Sequence, residues 1–141
     1  MATSKNDTNA EELAEYTDDE ITSSDVLLTG YPGFLASRLV ERLLDFHEEG
    51  TFYFLIQSKY RSLAEKRVGE LEDKHPDFEG RAELVEGDIT DPYLDFDDDL
   101  YDELTSKIGV VWHLAAIYDL AVPEEIAYRV NVTGTIHMLD F

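Results

Sequence analysis

Apolar positions along this chain follow two alternating patterns. Short apolar runs of strand length lie at residues 26–28 (VLL), 51–57 (TFYFLIQ), 82–86 and 110–115 (VVWHLA). The first is a run with no polar interruption, the mark of a strand buried on both faces. The second is rich in aromatic and β-branched residues. Between the runs, apolar residues recur at helical spacing. Residues 34–47 predict a helix with Leu35, Leu39 and Leu43 on one stripe and Val40 and Leu44 beside it. Gly50 then supplies a helix stop and turn. A charged helix is predicted over 62–75, ended by Pro76. A weak helix follows at about 98–107, and Pro123 opens a last helix running to residue 141. The order β-α-β-α-β-α-β-α predicts an α/β fold of parallel strands joined by right-handed crossovers, with helices on both faces.

Residues 1–24 fall outside this alternation. They hold seven carboxylates, one lysine and almost no large apolar residue, and read as an acidic, disordered tail ahead of a domain over 25–141. The 141 residues suffice for one core, and an apolar content of 43% makes that core globular. Acidic residues outnumber basic ones 32 to 11, for a net charge of -21. Such a surface repels phosphate backbones and anionic membranes, which excludes nucleic acid as a partner. No apolar run approaches the roughly 18 residues of a membrane span, and the N-terminus lacks the basic and apolar regions of a signal peptide. Asp95, Asp97 and Asp99 open with the spacing of an EF-hand, but Leu100 stands where glycine is required and Ser106 where glutamate is required. A disordered acidic activator is excluded by the regular apolar runs. The composition fits a halophilic, cytoplasmic protein. There is no cysteine, hence no disulfide or thiolate chemistry.

The segment TGYPGFLA, Thr29 to Ala36, carries the chemistry. It stands directly after the first strand and directly opens the first helix. Gly30 permits a tight turn. Gly33 lets a pyrophosphate approach the backbone, and Ala36 is small enough for close helix–strand packing. The helix N-terminus then offers free N–H groups and a positive dipole end to phosphates. Thr29, Gly30, Tyr31, Pro32, Gly33, Phe34 and Leu35 are accordingly candidate cofactor-binding residues. A glycine pattern at this junction predicts a dinucleotide-binding, Rossmann-type sheet of four strands in the order 3-2-1-4.

With this motif the chain resembles the extended short-chain dehydrogenase/reductases, including epimerase/dehydratases and thioester or fatty acyl reductases. EGDITDP (residues 86–92), HLAA (113–116) and NVTGT (131–135) agree in order and spacing, and the resemblance covers residues 25–141. It implies that Asp88 and Ile89 meet the adenine, and that Leu114, Ala115 and Ala116 line the cofactor. On the residues alone, Asp88 equally suits capping its turn through Thr90 or Asp91, and the alanines equally suit ordinary burial. Asn131 resembles the family asparagine that holds a kink near the active site. Gly134, costing about 1 kcal/mol against alanine in a helix, calls for close packing of another helix. His113 has no second ligand at metal spacing, which points to a structural role at the strand end and no metal site.

The resemblance implies a nicotinamide cofactor. No carboxylate ends the second strand, where NAD-preferring relatives carry one. Lys59, Arg61, Lys66 and Arg67 stand there instead, four of the chain's eleven basic residues. A 2′-phosphate would explain the cluster, as would a surface patch, so the expectation is NADP, with NAD the alternative. Catalysis in the family uses Tyr-x-x-x-Lys, and none of the eight tyrosines has lysine four residues on. The catalytic pair is therefore absent from this sequence. The expectation is an N-terminal part of a longer reductase, inactive by itself, with Asn131 supporting and Tyr118 in a substrate loop. The acidic segment from Tyr93 to Gly109 resembles the acyl-thioester reductase branch, though a halophilic loop would have the same composition. The expected partners are the dinucleotide and an acyl-thioester or other small-molecule substrate, with a homodimer of the full-length protein left open. A sugar-nucleotide epimerase/dehydratase and a non-catalytic dinucleotide-binding module are the alternatives.

Overall fold

A computed structural model describes residues 17–141. Four parallel strands, β1 (Asp25–Thr29), β2 (Phe52–Ile56), β3 (Ala82–Glu86) and β4 (Ile108–His113), form one sheet in the order β3-β2-β1-β4. The two inner strands are buried on both faces, which is why their sequences are apolar without interruption. Successive side chains face opposite ways. Val26 and Leu28 pack with Phe52, Phe54 and Ile56 beneath two helices, α2 (Phe34–Leu43) and α3 (Arg61–Lys74). Leu27, Tyr53 and Leu55 pack on the other face with Val85, Leu94, Leu104 and Met138. That face is covered by α4 (Asp98–Lys107) and α6 (Gly134–Asp140). β3 and β4 form the sheet edges and are only partly buried.

Several boundaries differ from the sequence reading, each for a local reason. Within the stretch read as tail, Asp18–Ser23 forms a short helix, α1. Thr17 and Glu20 close it as a capping box, each side chain bonding the other's backbone N–H. The remainder of that tail, residues 1–16, lies outside the described residues. α2 ends at Leu43, and the chain tightens into turns through Phe46 because His47 swings inward, edge-on to the Phe52 ring. The buried face of α2 is Ala36, Val40 and Leu43, so the expected stripe is shifted at its start and Leu35 is 60% exposed. β4 begins and ends two residues earlier than expected. The last helix is interrupted: α5 (Glu124–Tyr128) and α6 are joined by a wide turn, Arg129–Thr133, in which the Gly134 N–H bonds the Arg129 carbonyl five residues back.

Candidate functional site

From β1 the chain proceeds to β2 and β3 on one side, then returns to place β4 on the other. Connections therefore diverge at the carboxyl ends of β1 and β4, which leaves a crevice in an open parallel sheet. A cleft of about 820 Å3 opens there. The loop Thr29–Gly33 lines it together with Phe34 and Leu35, both largely exposed. Leu114, Ala115, Ala116 and Tyr118, after β4, line one side; Lys59, after β2, and Asp88 and Ile89, after β3, line the other. Of the residues proposed from sequence, the fold brings these together and leaves Arg61 and Asn131 out of the lining.

Gly30 has φ +91°, and a Cβ on it would stand 3.0 Å from the Leu114 carbonyl carbon and 3.1 Å from the Ala115 nitrogen. The loop thus rests directly on the β4 wall. Gly33 closes the turn by donating its N–H to the Gly30 carbonyl at 2.8 Å. A Cβ on Gly33 would come within 2.7 Å of that carbonyl oxygen. The turn itself therefore requires glycine there, a requirement that acts before any ligand is considered. Ala36 is 1% exposed, as close helix packing demands. No side chain caps α2 at Gly33, so the free first-turn N–H groups that every helix carries are left at the cleft.

Tyr31 lines the cleft and also reaches into the core. Its ring is buried, stacked on Phe54 at 4.2 Å, and burial pushes its phenol up to about 12. It anchors the loop to the core. Asp88 caps its own turn: its carboxylate accepts from the Thr90 N–H at 2.9 Å and the Thr90 hydroxyl at 2.7 Å. It also lines the cleft, so the two readings of this residue are compatible. The Asp88 N–H bonds the carbonyl of Leu94, the middle of three successive left-handed positions, Tyr93, Leu94 and Asp95. Leu94 is fully buried, and that burial holds the unfavourable turn.

Ile89 is 7% exposed and packs against the last helix. A Cβ on Gly134 would lie 2.8 Å from Ile89 Cδ1, so the close neighbour of this glycine is a loop side chain and not another helix. Gly134→Ala is expected to destabilise the protein by about 1–3 kcal/mol through overpacking, although alanine is the better helix former. Urea denaturation checks this, and an unchanged or raised midpoint would contradict the contact.

The basic cluster divides. Lys59 lines the cleft, its ammonium 5.0 Å from the centre of the Tyr60 ring. Arg61 points to carboxylates, bonding Glu86 at the end of β3 and Glu65 one turn along α3. Arg67 pairs with Glu70. Asn131, in the wide turn, reaches back to the loop after β4. Its Oδ1 accepts from the Ile117 N–H at 2.8 Å and its Nδ2 donates to the Ile117 carbonyl at 3.0 Å. The wide turn and this two-point clamp satisfy a residue otherwise unsuited to a helix interior. The clamp fixes the segment that carries Tyr118, which is 73% exposed at the cleft.

Sequence reading passed over the job of Thr29. This fully buried hydroxyl accepts from the Leu114 and Ala115 N–H groups, each at 3.0 Å, and lies 2.7 Å from His113 Nδ1. It ties the end of β1 to the wall of the cleft. It also passed over Gln57, Tyr60 and Leu63, which line the cleft at the end of β2 and the start of α3. A polar residue ending a buried strand was the available signal for Gln57.

Comparison with known proteins agrees with this geometry. The family model described as male sterility protein, an NAD-binding family, matches residues 28–141. A putative fatty acyl-CoA reductase of Drosophila melanogaster is 33% identical over 82% of this chain and 22% of its own length. Fatty acyl-CoA reductase 1 of Gallus gallus is 28% identical over 82% of this chain and 24% of its own length. The chain thus spans less than a quarter of these curated relatives. Among solved structures, the terminal R domain from the myxalamid PKS-NRPS biosynthetic pathway matches with a TM-score of 0.68 and 27% identity, over 84% of this chain and 31% of that one. The reductase domain of a non-ribosomal peptide synthetase from Mycobacterium tuberculosis shares the fold, with a TM-score of 0.64 at 24% identity over 83% of this chain and 29% of that one. A glycine turn at the switch point of a 3-2-1-4 sheet, matched over these residues, places the chain in the male sterility family of NAD-binding proteins, on the fatty acyl reductase-like branch of the extended short-chain dehydrogenase/reductases.

Proposed function

We propose that the cleft binds NADP(H), and that a protein of the relatives' length carrying this chain uses it to reduce an acyl thioester. The observation that carries this reading is the uncapped N-terminus of α2, opening on the Gly30–Gly33 turn at the switch point of the sheet. Pyrophosphate bound there would be met by free N–H donors and a positive dipole end. The cofactor would supply the hydride. Residues of this chain would bind and orient it: the glycine turn at the pyrophosphate, Asp88 and Ile89 at the adenine, and Leu114–Ala116 along the ribose and nicotinamide. Tyr118 and its loop, held by Asn131, would face the substrate. No tyrosine here has lysine at the required spacing, so acid catalysis is not assigned to these residues. The acyl thioester follows from the fatty acyl-CoA reductases among the relatives. The acidic surface fits a cytoplasmic protein in concentrated salt, and among the described residues no helix is long and apolar enough to cross a membrane.

Calorimetric titration of the chain with NADPH and NADH tests cofactor binding; no heat with either cofactor would reject it. NADPH oxidation by the full-length protein with a long-chain acyl-CoA, against a nucleotide sugar, tests the substrate class. Preference for NADP is assigned to Lys59, which lines the cleft, and not to the ion-paired Arg61. Lys59→Ala is expected to weaken NADPH by about 1.5–3 kcal/mol, the range of a charge-assisted contact, while leaving NADH nearly unaffected. Arg61→Ala should affect both cofactors alike. Equal losses for the two cofactors in Lys59→Ala would refute the assignment.

A further inference from the structure

We infer that His113 is a positioning residue for the dinucleotide site: its imidazole, neutral and protonated at Nε2, locks the Leu114–Ala115 wall onto the phosphate loop and links that loop to the Tyr118 segment. The effect on affinity rests on the reading that this cleft binds a dinucleotide.

A threonine hydroxyl has one proton and two acceptor lone pairs. Thr29 Oγ1 spends both lone pairs on the Leu114 and Ala115 N–H groups. Its proton is then directed to His113 Nδ1, 2.7 Å away, so Nδ1 is the acceptor nitrogen. On the far side of the ring, Thr135 donates its own hydroxyl proton to the Asn131 carbonyl at 2.7 Å. Its lone pairs are free to accept from His113 Nε2–H at 3.2 Å. One tautomer satisfies every partner. The chain of bonds continues through Asn131, whose side chain clamps Ile117 next to Tyr118.

A second proton on the ring has no acceptor. Nδ1–H would face Thr29 Oγ1 with both lone pairs occupied, and the hydroxyl would have to release Leu114 or Ala115 to accept it. The loop would feel that release, because Gly30 lies against the Ala115 nitrogen. The groups meeting the ring are Thr29 of β1 and Thr135 of the last helix, neither charged. On that helix His137 is engaged with the Ile89 carbonyl. Burial alone holds the His113 pKa below its ordinary value. The depressed value means that the order it provides is complete above about pH 6.5 and is lost as pH falls through the folded pKa.

Dinucleotide affinity of the 141-residue chain is measured by calorimetry between about pH 8 and pH 5, with matched nitrogen NMR of the imidazole. Affinity is expected to fall about three- to tenfold over that range, the worth of one hydrogen bond. The sign is diagnostic. In a protein of net charge -21, protonation of surface carboxylates would by itself tighten an anionic ligand as pH falls. His113→Asn puts a non-titrating oxygen where Nδ1 accepts, and His113→Phe removes the acceptor. The asparagine variant is expected to bind between wild type and the phenylalanine variant at high pH, without the fall at low pH. An unchanged fall in His113→Asn overturns the inference while leaving the dinucleotide site intact. If no dinucleotide binds at any pH, the reading of the cleft fails and the ring decides the inference. An Nε2–H tautomer whose titration carries the Leu114 and Ala115 amide resonances supports it. An Nδ1–H tautomer, or amides that ignore the titration, overturns it.

Discussion

Gly33→Val is expected to reduce dinucleotide affinity at least about a hundredfold, roughly the 3 kcal/mol lost when a preorganised anion site is disordered. The cause lies in the loop before it reaches the ligand. The valine Cβ would enter within 2.7 Å of the Gly30 carbonyl oxygen, and the bond from the Gly33 N–H to that oxygen would open. The first-turn donors of α2 would then no longer converge on one phosphate. The β branch would also intrude where a pyrophosphate has to approach. Secondary structure should persist, because a Cβ on Gly33 would meet only the Gly30 carbonyl within 4 Å and not the buried face of α2 or the core of β1. Calorimetry with NADPH, paired with far-ultraviolet circular dichroism, separates the two effects. Undiminished affinity in a folded Gly33→Val protein would remove the phosphate-loop assignment.

Thr29→Val is expected to cost about 2–5 kcal/mol of stability, a large fraction of what a domain of this size possesses. Valine matches threonine in shape, so no cavity forms at this fully buried position. What changes is that two backbone N–H groups, of Leu114 and Ala115, lose their acceptor and His113 Nδ1 loses its donor. Each buried polar group left unpaired costs about 1–3 kcal/mol, with some relief from relaxation at the edge strand. Thr29→Ser keeps the hydroxyl and should lose only about 1 kcal/mol for the missing methyl group. Urea denaturation of both variants checks the contrast. Equal losses would mean that the hydroxyl network carries little energy.

The paired carboxylates around Arg61 show how charge patterning misleads. Four cations within a short span of an acidic chain suggested a phosphate site, yet all four arginines of α2 and α3 pair with carboxylates about one turn away. Helical spacing makes such pairs the commonest fate of a surface arginine, and each contributes little. Only Lys59 is left at the cleft, because the short turn between β2 and α3 places it there.

Much of the fold was legible in the residues. Apolar runs such as VLL and TFYFLI have to be buried on both faces, and a run of that kind followed by glycines and a helical stripe has few folded solutions. The glycine turn, the pairing of GDITDP with a strand end, and the awkward Asn131 inside a helix were visible for the same reason: each is a local conformational requirement. What the sequence could not determine were contacts between residues far apart along it. Tyr31 stacking inward on Phe54, Ile89 filling the space over Gly134, Arg61 meeting Glu86 and Thr29 bonding Leu114 each depend on where another element packs. The conformation of a turn is set by its own backbone energetics, whereas the partner of a side chain is set by the packing of the whole sheet, and only the tertiary structure supplies that.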